Sequence, residues 1–261
     1  MFMDYHLHSS FSGDSTTPME DVCRTAEACG LRHIAITDHH DIALETFRIP
    51  NFAVYLEEIE RCRAQHPALT IARGLELDYR SETWERMQTL PERLDLDYPL
   101  LSLHYVDDVD PYDPAFFQGL TQRQGYEKHL YHLIDMLRWV EGHFVIGHIT
   151  YVSKFAPYPD NTLRYADYTD LLDEVLRLIV SKGYGMELNT SGRKNNAGIL
   201  PDLDIARRYR ELGGEILTIG SDAHTTDFVG RWIDDAEEVA RQAGFRHLAV
   251  YHRLKPIFHP I

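Results

Sequence analysis

Met1-Phe-Met-Asp-Tyr-His-Leu-His-Ser-Ser-Phe-Ser-Gly-Asp14 is the stretch from which the rest of this chain can be read. A short apolar run leads into His6-Leu7-His8, and an acid follows at Asp14. Side chains alternate between faces along an extended strand, so His6 and His8 project side by side at its end. Two neutral imidazoles converging on one point make half of a metal site, and Asp14 can return from the following loop as a hard oxygen ligand. The pattern His-x-His is short and common, so its meaning depends on what recurs downstream.

What recurs is a strand that ends in a metal-capable side chain. His33-Ile-Ala-Ile-Thr-Asp-His39 reads as a second buried strand, Leu69–Asp78 as a third carrying Glu76 and Asp78, and Tyr98–His104 as a fourth. Phe144–His148, Tyr184–Asn189 and Glu215–His224 follow, the last ending in Asp222 and His224. Helical patterns lie between them, at 19–30, 53–66, 124–141, 169–182, 202–212 and 229–243. Thr16, Thr17 and Pro18 supply the start signal of the first helix and Gly30 its stop. Residues 107–122 and 151–168 read as long loops and the segment after 243 as a mixed tail.

Strands alternating with helices imply a parallel sheet with crossovers, and function-bearing strand ends are how a β/α barrel builds its rim. Seven strands make such a barrel one unit short, hence a distorted (β/α)7 barrel of the TIM-barrel type. No linker divides the 261 residues, so a single domain over 1–261 is expected. The strand ends together offer His6, His8, Asp14, His39, Glu76, His104, His148, Asp222 and His224. Mixed imidazole and carboxylate ligands suit zinc, manganese or iron(II), and nine exceed the needs of one ion. Two or three divalent ions that share Glu76 and a bridging hydroxide would use them all.

Composition narrows the partners. An apolar fraction of 44% supports a sizeable core, and no long uncharged apolar run suggests a membrane span. The opening residues carry no basic and apolar leader, which makes the cytoplasm the default location. Cys23, Cys29 and Cys62 form no paired spacing and read as buried thiols. A net charge of −15 disfavours nucleic acid, although part of that acidity can be ligand carboxylates neutralised by cations.

Asp4-Tyr-His-Leu-His8, Thr37-Asp-His39, Gly74-Leu-Glu76, Ser102-Leu-His104, Gly147-His148 and Ser221-Asp-Ala-His224 together resemble the motifs of the polymerase and histidinol phosphatase (PHP) family. The match runs from residue 4 to 224, and the order of the motifs is more specific than any one of them. The resemblance implies a distorted (β/α)7 barrel with a trinuclear metal centre held by those nine positions; at Asp14 the family varies between Asp and His.

Within the family, Glu187-Leu-Asn-Thr-Ser-Gly-Arg-Lys194 resembles the segment of histidinol-phosphate phosphatases that supplies a cation to the phosphate. Gly147–Lys154 resembles another such segment. Phosphoryl transfer needs cations on the non-bridging oxygens, so Arg193 could grip two of them while Lys154 or Lys194 acts as a point charge. The family pattern often has one more residue between Gly192 and Arg193, which leaves Arg193 and Lys194 as alternatives.

The implied activity is hydrolysis of a small phosphomonoester, L-histidinol phosphate foremost, by in-line attack of a metal-bridging hydroxide. The proton for the leaving alkoxide has two candidate sources, His40 and a metal-bound water. Asp78, Tyr79, Trp84 and Tyr105 are the strand-end residues available to contact an imidazole. Two alternatives stand beside this reading: a PHP phosphoesterase acting on another ester, nucleotide or diester, and a catalytically silent metal-binding domain. His129 and His132 read as surface or interhelical residues, and His33, His143, His247, His252 and His259 as structural.

Overall fold

The computed structural model describes residues 2–261. Its elements run β1 (Met3–Leu7), α1 (Met19–Ala28), β2 (His33–Ile36), β3 (His39–His40), α2 (Phe52–Gln65), β4 (Thr70–Asp78), α3 (Trp84–Met87), α4 (Leu90–Arg93), β5 (Tyr98–Ser102) and α5 (Gln122–Trp139). They continue through β6 (Val145–Ile146), α6 (Thr169–Ser181), β7 (Gly185–Asn189), α7 (Leu203–Glu211), β8 (Leu217–Gly220), α8 (Ile233–Gln242), β9 (His247–His252) and β10 (Lys255–Pro260).

The parallel sheet follows the order β1-β2-β4-β5-β6-β7-β8, the seven expected strands. Helices occupy the crossovers, as parallel neighbours require. In α6, Leu172, Val175, Leu176 and Ile179 recur at helical spacing and are fully buried. Removing side chains of that size from water contributes about 1.5–3 kcal/mol each, so the stripe outweighs any local propensity in holding α6 to the sheet. No full ladder joins β1 to β8. Their ends meet instead at the rim, where His8 N donates to Ala223 O at 3.0 Å and Asp222 N to His6 O at 2.9 Å. The result is a nearly closed, distorted barrel.

Four local expectations change. The second strand is interrupted at Thr37-Asp38 and resumes as β3 in the same register against β4: Ile36 pairs with Arg73 and His39 with Glu76. The fifth strand shrinks to Val145–Ile146, since Gly147 N is the last of its donors to reach β5. Pro18 starts α1 without a side-chain cap, and the Thr17 hydroxyl donates instead to His224 O at 3.1 Å. The tail is an antiparallel hairpin, β9–β10, seated under the amino ends of the strands. Asp97, just before β5, anchors it by accepting from Arg253 N at 2.9 Å while its own carbonyl accepts from Leu254 N at 3.0 Å. Tyr251 meets Tyr98 edge-on at 5.2 Å, and its N–H donates to the Tyr5 hydroxyl.

Candidate metal centre and active-site cavity

At the opposite, carboxyl-terminal rim the nine predicted ligands converge. Gly74, Glu76 and Asp78 alternate with apolar residues along β4, which aims both carboxylates at one face. Glu76 sits at the centre, fully buried. Its Oε2 lies 3.1 Å from His6 Nε2 and 3.4 Å from His8 Nε2, while Asp222 Oδ1 stands 3.7 and 3.4 Å from the same two nitrogens. Its Oε1 lies 3.0 Å from His148 Nε2 and 3.4 Å from His104 Nε2. A third group forms where Asp14 Oδ2 approaches His224 Nε2 at 3.0 Å and His39 Nε2 at 3.8 Å, with His39 Nδ1 3.2 Å from Glu76 Oε2.

Several overlapping triads place their donor atoms within 4.8 Å of one another, among them His6-His8-Glu76, His39-Glu76-His104, His6-His148-Asp222 and His8-His39-His224. His8 Nε2 lies buried among these groups without a hydrogen-bond partner, which is how a ligand nitrogen aimed at a cation would sit. The donor set of imidazoles and carboxylates fits divalent transition-metal ions.

The electrostatics point the same way. Burial opposes ionisation of Glu76, yet the surrounding imidazoles of His6, His39 and His104 hold its carboxyl well below the usual range. Burial likewise opposes charge on His39, and Glu76, Asp78 and Asp14 overcome it, raising that imidazole to about 10. His8 is held neutral, its pKa pushed down to about 3 by burial and by facing His224 and His39. Ionised acids around imidazoles that would otherwise capture protons make a negative pocket suited to cations.

A surrounding layer orients the cluster. His6 Nδ1 lies 2.7 Å from Glu187 Oε1, whose other oxygen accepts from His148 N at 2.9 Å. Asp78 holds His104 through Nδ1, Ser12 Oγ meets His8 Nδ1 at 2.9 Å, and Ser102 donates to Glu76 at 2.6 Å. Such contacts fix tautomer and ring orientation. Gly220 is required here because a Cβ would lie 2.2 Å from His6 Cβ. Asp222 sits in the left-handed region at φ 54, a strained backbone of the kind that gathers at functional sites. Asp4 and Asp38 stay outside the cluster. Asp4 accepts from Ser221 N, Ser221 Oγ and Gly230 N, and Asp38 from the N–H and hydroxyl groups of Ser9 and Ser12.

The cluster forms the floor of a cavity of about 640 Å³. Lys154, Lys194 and Tyr105 line it, as expected of substrate contacts, and Lys154 Nζ rests 2.9 Å from Asp222 Oδ2. Arg193 does not line it. Its guanidinium turns outward to Asp235 and the Trp232 ring, so of the two alternatives only Lys194 faces the cavity. His40 is also turned away: it is buried against Phe52, its Nδ1 accepts from Ile49 N at 3.3 Å, and burial lowers its pKa to about 4. It is therefore out of place as an acid for the leaving group. Trp84 is buried against Phe144 and Tyr79 packs on Trp84, so neither reaches a substrate.

The sequence reading missed Glu187 as an orienting acid, although its strand alternation with Asn189 marks both as facing the same way. Asp110, in a loop without periodicity, also lines the cavity and was not singled out by the sequence. His129 is buried on α5 and bonded to Ile149 O at 3.3 Å, away from the cluster.

The PHP-domain family model matches residues 4–191. The chain belongs to the PHP family. A probable histidinol-phosphatase of Clostridium acetobutylicum is 30% identical to this PHP protein over 99% of the chain and 96% of its own length. The histidinol-phosphatase of Lactococcus lactis is 27% identical, over 97% and 95%. A solved structure of the Lactococcus lactis histidinol phosphate phosphatase, complexed with zinc, L-histidinol and phosphate, superposes with a TM-score of 0.88, 26% identity, and 98% and 100% coverage. Among the described residues no helix is long and apolar enough to cross a membrane.

Proposed function

We propose that this protein is a metal-dependent phosphatase that hydrolyses L-histidinol phosphate to L-histidinol and phosphate, a reaction of histidine biosynthesis. The observation that carries it is the convergence of nine imidazole and carboxylate side chains, Glu76 at their centre, beneath a cavity walled by Lys154 and Lys194. Full-length similarity to histidinol-phosphatases supports the substrate. The unit of function in this reading is the whole chain, 1–261, since ligands come from both ends of it.

Two or three divalent ions, zinc, manganese or iron, would be held by His6, His8, Asp14, His39, Glu76, His104, His148, Asp222 and His224. When bound, such ions lower the pKa of water toward neutrality and neutralise charge on phosphoryl oxygens. The chain's own residues do the rest. Lys154, from beside Asp222, and Lys194 add positive charge to the non-bridging oxygens. Glu187, Asp78 and Ser12 keep His6, His104 and His8 aimed inward. Tyr151, edge-on to His104 at 4.8 Å, closes the apolar side of the floor and limits water.

The test is phosphate release by zinc- or manganese-loaded protein from L-histidinol phosphate, p-nitrophenyl phosphate, a nucleotide monophosphate and a phosphodiester. Preference for histidinol phosphate, lost in Lys154→Ala with metal content intact, is expected. Equal slow rates on all four, or preference for the diester, would leave a metal centre and remove the substrate.

A further inference from the structure

Beyond the metal centre, one side of the cavity is built from residues that no phosphate would call for. Asp110 lines it, together with the rings of Tyr112, Tyr151 and Phe155. Tyr151 and Phe155 meet edge-on at 5.3 Å, and Phe155 meets Tyr112 the same way at 5.2 Å, so the wall is continuous and apolar. Asp110 is set into it by two donors on one oxygen: the Tyr112 N–H at 2.8 Å and the Tyr151 hydroxyl at 3.1 Å.

The other carboxylates of the cavity are already used. Asp14 is paired with His224, Asp78 with His104, and Asp222 with Lys154. Among the described residues, Asp110 is the cavity carboxylate with no lysine, arginine or histidine nitrogen in ion-pair range; its partners are neutral. An uncompensated negative charge beside aromatic rings is a receptor for a cationic nitrogen, which gains both the ion pair and the ring faces. The loop is held ready for it: Val106 and Val109 exchange backbone hydrogen bonds at 3.1 Å, and the Asp110 carbonyl accepts from Asp113 N at 2.8 Å. Pre-organisation of this kind lowers the ordering cost of binding.

Lys154 marks the phosphate side and Tyr151 links the two, since its ring lies tilted against His148 at 4.9 Å while its hydroxyl reaches Asp110. We infer that Asp110 is the specificity-determining residue for the alcohol half of the substrate, accepting a protonated nitrogen of that alcohol while Tyr112 and Phe155 cover its carbon skeleton. The inference rests on the phosphatase reading above. L-Histidinol phosphate carries two such nitrogens, an ammonium on the carbon beside the ester-bearing carbon and an imidazole farther out. Both share the chemistry, and the experiment separates them.

Wild type and Asp110→Asn, matched for metal content, are compared on L-histidinol phosphate, 3-(imidazol-4-yl)propyl phosphate (no ammonium), L-alaninol phosphate (no imidazole) and p-nitrophenyl phosphate (neither). The expected result is a fall in kcat/KM of about 30-fold on histidinol phosphate, carried mainly by KM, against about threefold or less on p-nitrophenyl phosphate. The analogue that shares the large fall identifies the nitrogen that Asp110 grips. Asp110→Glu, which keeps the charge and displaces it, should fall between the two and serves as the readout if the Asn variant loses metal. A similar fall on all four substrates, or none on histidinol phosphate, would overturn the inference. A wild type with no preference for histidinol phosphate over p-nitrophenyl phosphate would instead overturn the phosphatase reading, before any variant is measured.

Discussion

The two ends of the barrel both bury carboxylates, and they use them in opposite ways. At the base, Asp97 is saturated by donors: Arg63 Nη2 at 2.7 Å, Arg73 N at 3.0 Å and Arg253 N at 2.9 Å. Nothing there is left for a ligand, and the acid joins the C-terminal hairpin to the strand starts. At the rim, Glu76 and Asp222 face imidazoles, with His8 Nε2 unbonded among them. Satisfied acids hold the fold together; acids crowded among imidazoles, with a buried ring nitrogen left unbonded, are kept for cations. Asp4 and Asp38 show the rule at short range, since they stand at the same rim but are filled by serine and backbone N–H groups.

Variants can break that contrast in graded steps. Glu76→Gln removes the charge shared by two groups of imidazoles and should lower kcat roughly a thousandfold, with metal content by mass spectrometry falling in parallel. The fold should survive it, because the amide keeps the shape of the side chain and can still accept from the Ser102 hydroxyl. Asp97→Ala should do the reverse. Losing three donors' acceptor at a buried site is expected to cost about 2–3 kcal/mol, lowering Tm by about 5–10 °C, while kcat on p-nitrophenyl phosphate is retained. A loss of activity with unchanged Tm would show that the base communicates with the rim.

Smaller effects sharpen the boundary between ligands and their supports. Glu187→Gln keeps the shape behind His6 but weakens the acceptor that orients it, so metal affinity should fall by about 10–100-fold in a chelator competition titration. An unchanged affinity would mean that His6 is held by packing alone. Arg193→Ala is expected to change kcat/KM by less than about threefold, since an exposed ion pair with Asp235 contributes little. A loss as large as that of Lys154→Ala would mean that Arg193 swings into the cavity when phosphate binds.

Much of this was legible in the chain itself. Strand alternation and strand ends pointed to all nine clustered residues, because a period of two fixes which neighbours share a face, and parallel strands bring their carboxyl ends to one rim. The family motifs depend on the same local geometry. What tertiary structure decided is which long-range partner each polar group meets. Arg193 and Lys194 are adjacent and both cationic, yet the acid at Asp235, 42 positions away, takes one of them outward. Thr17 looks like a helix cap and instead binds the carbonyl of His224. His40 follows a clustered histidine and is buried behind it. Asp110 acquires its place from Tyr151, 41 residues on, and Asp97 becomes a clasp only once the hairpin folds beneath it. Periodicity is local and can be read from residue types, whereas the pairing of a charge depends on which of many similar groups the folded chain brings within 3 Å.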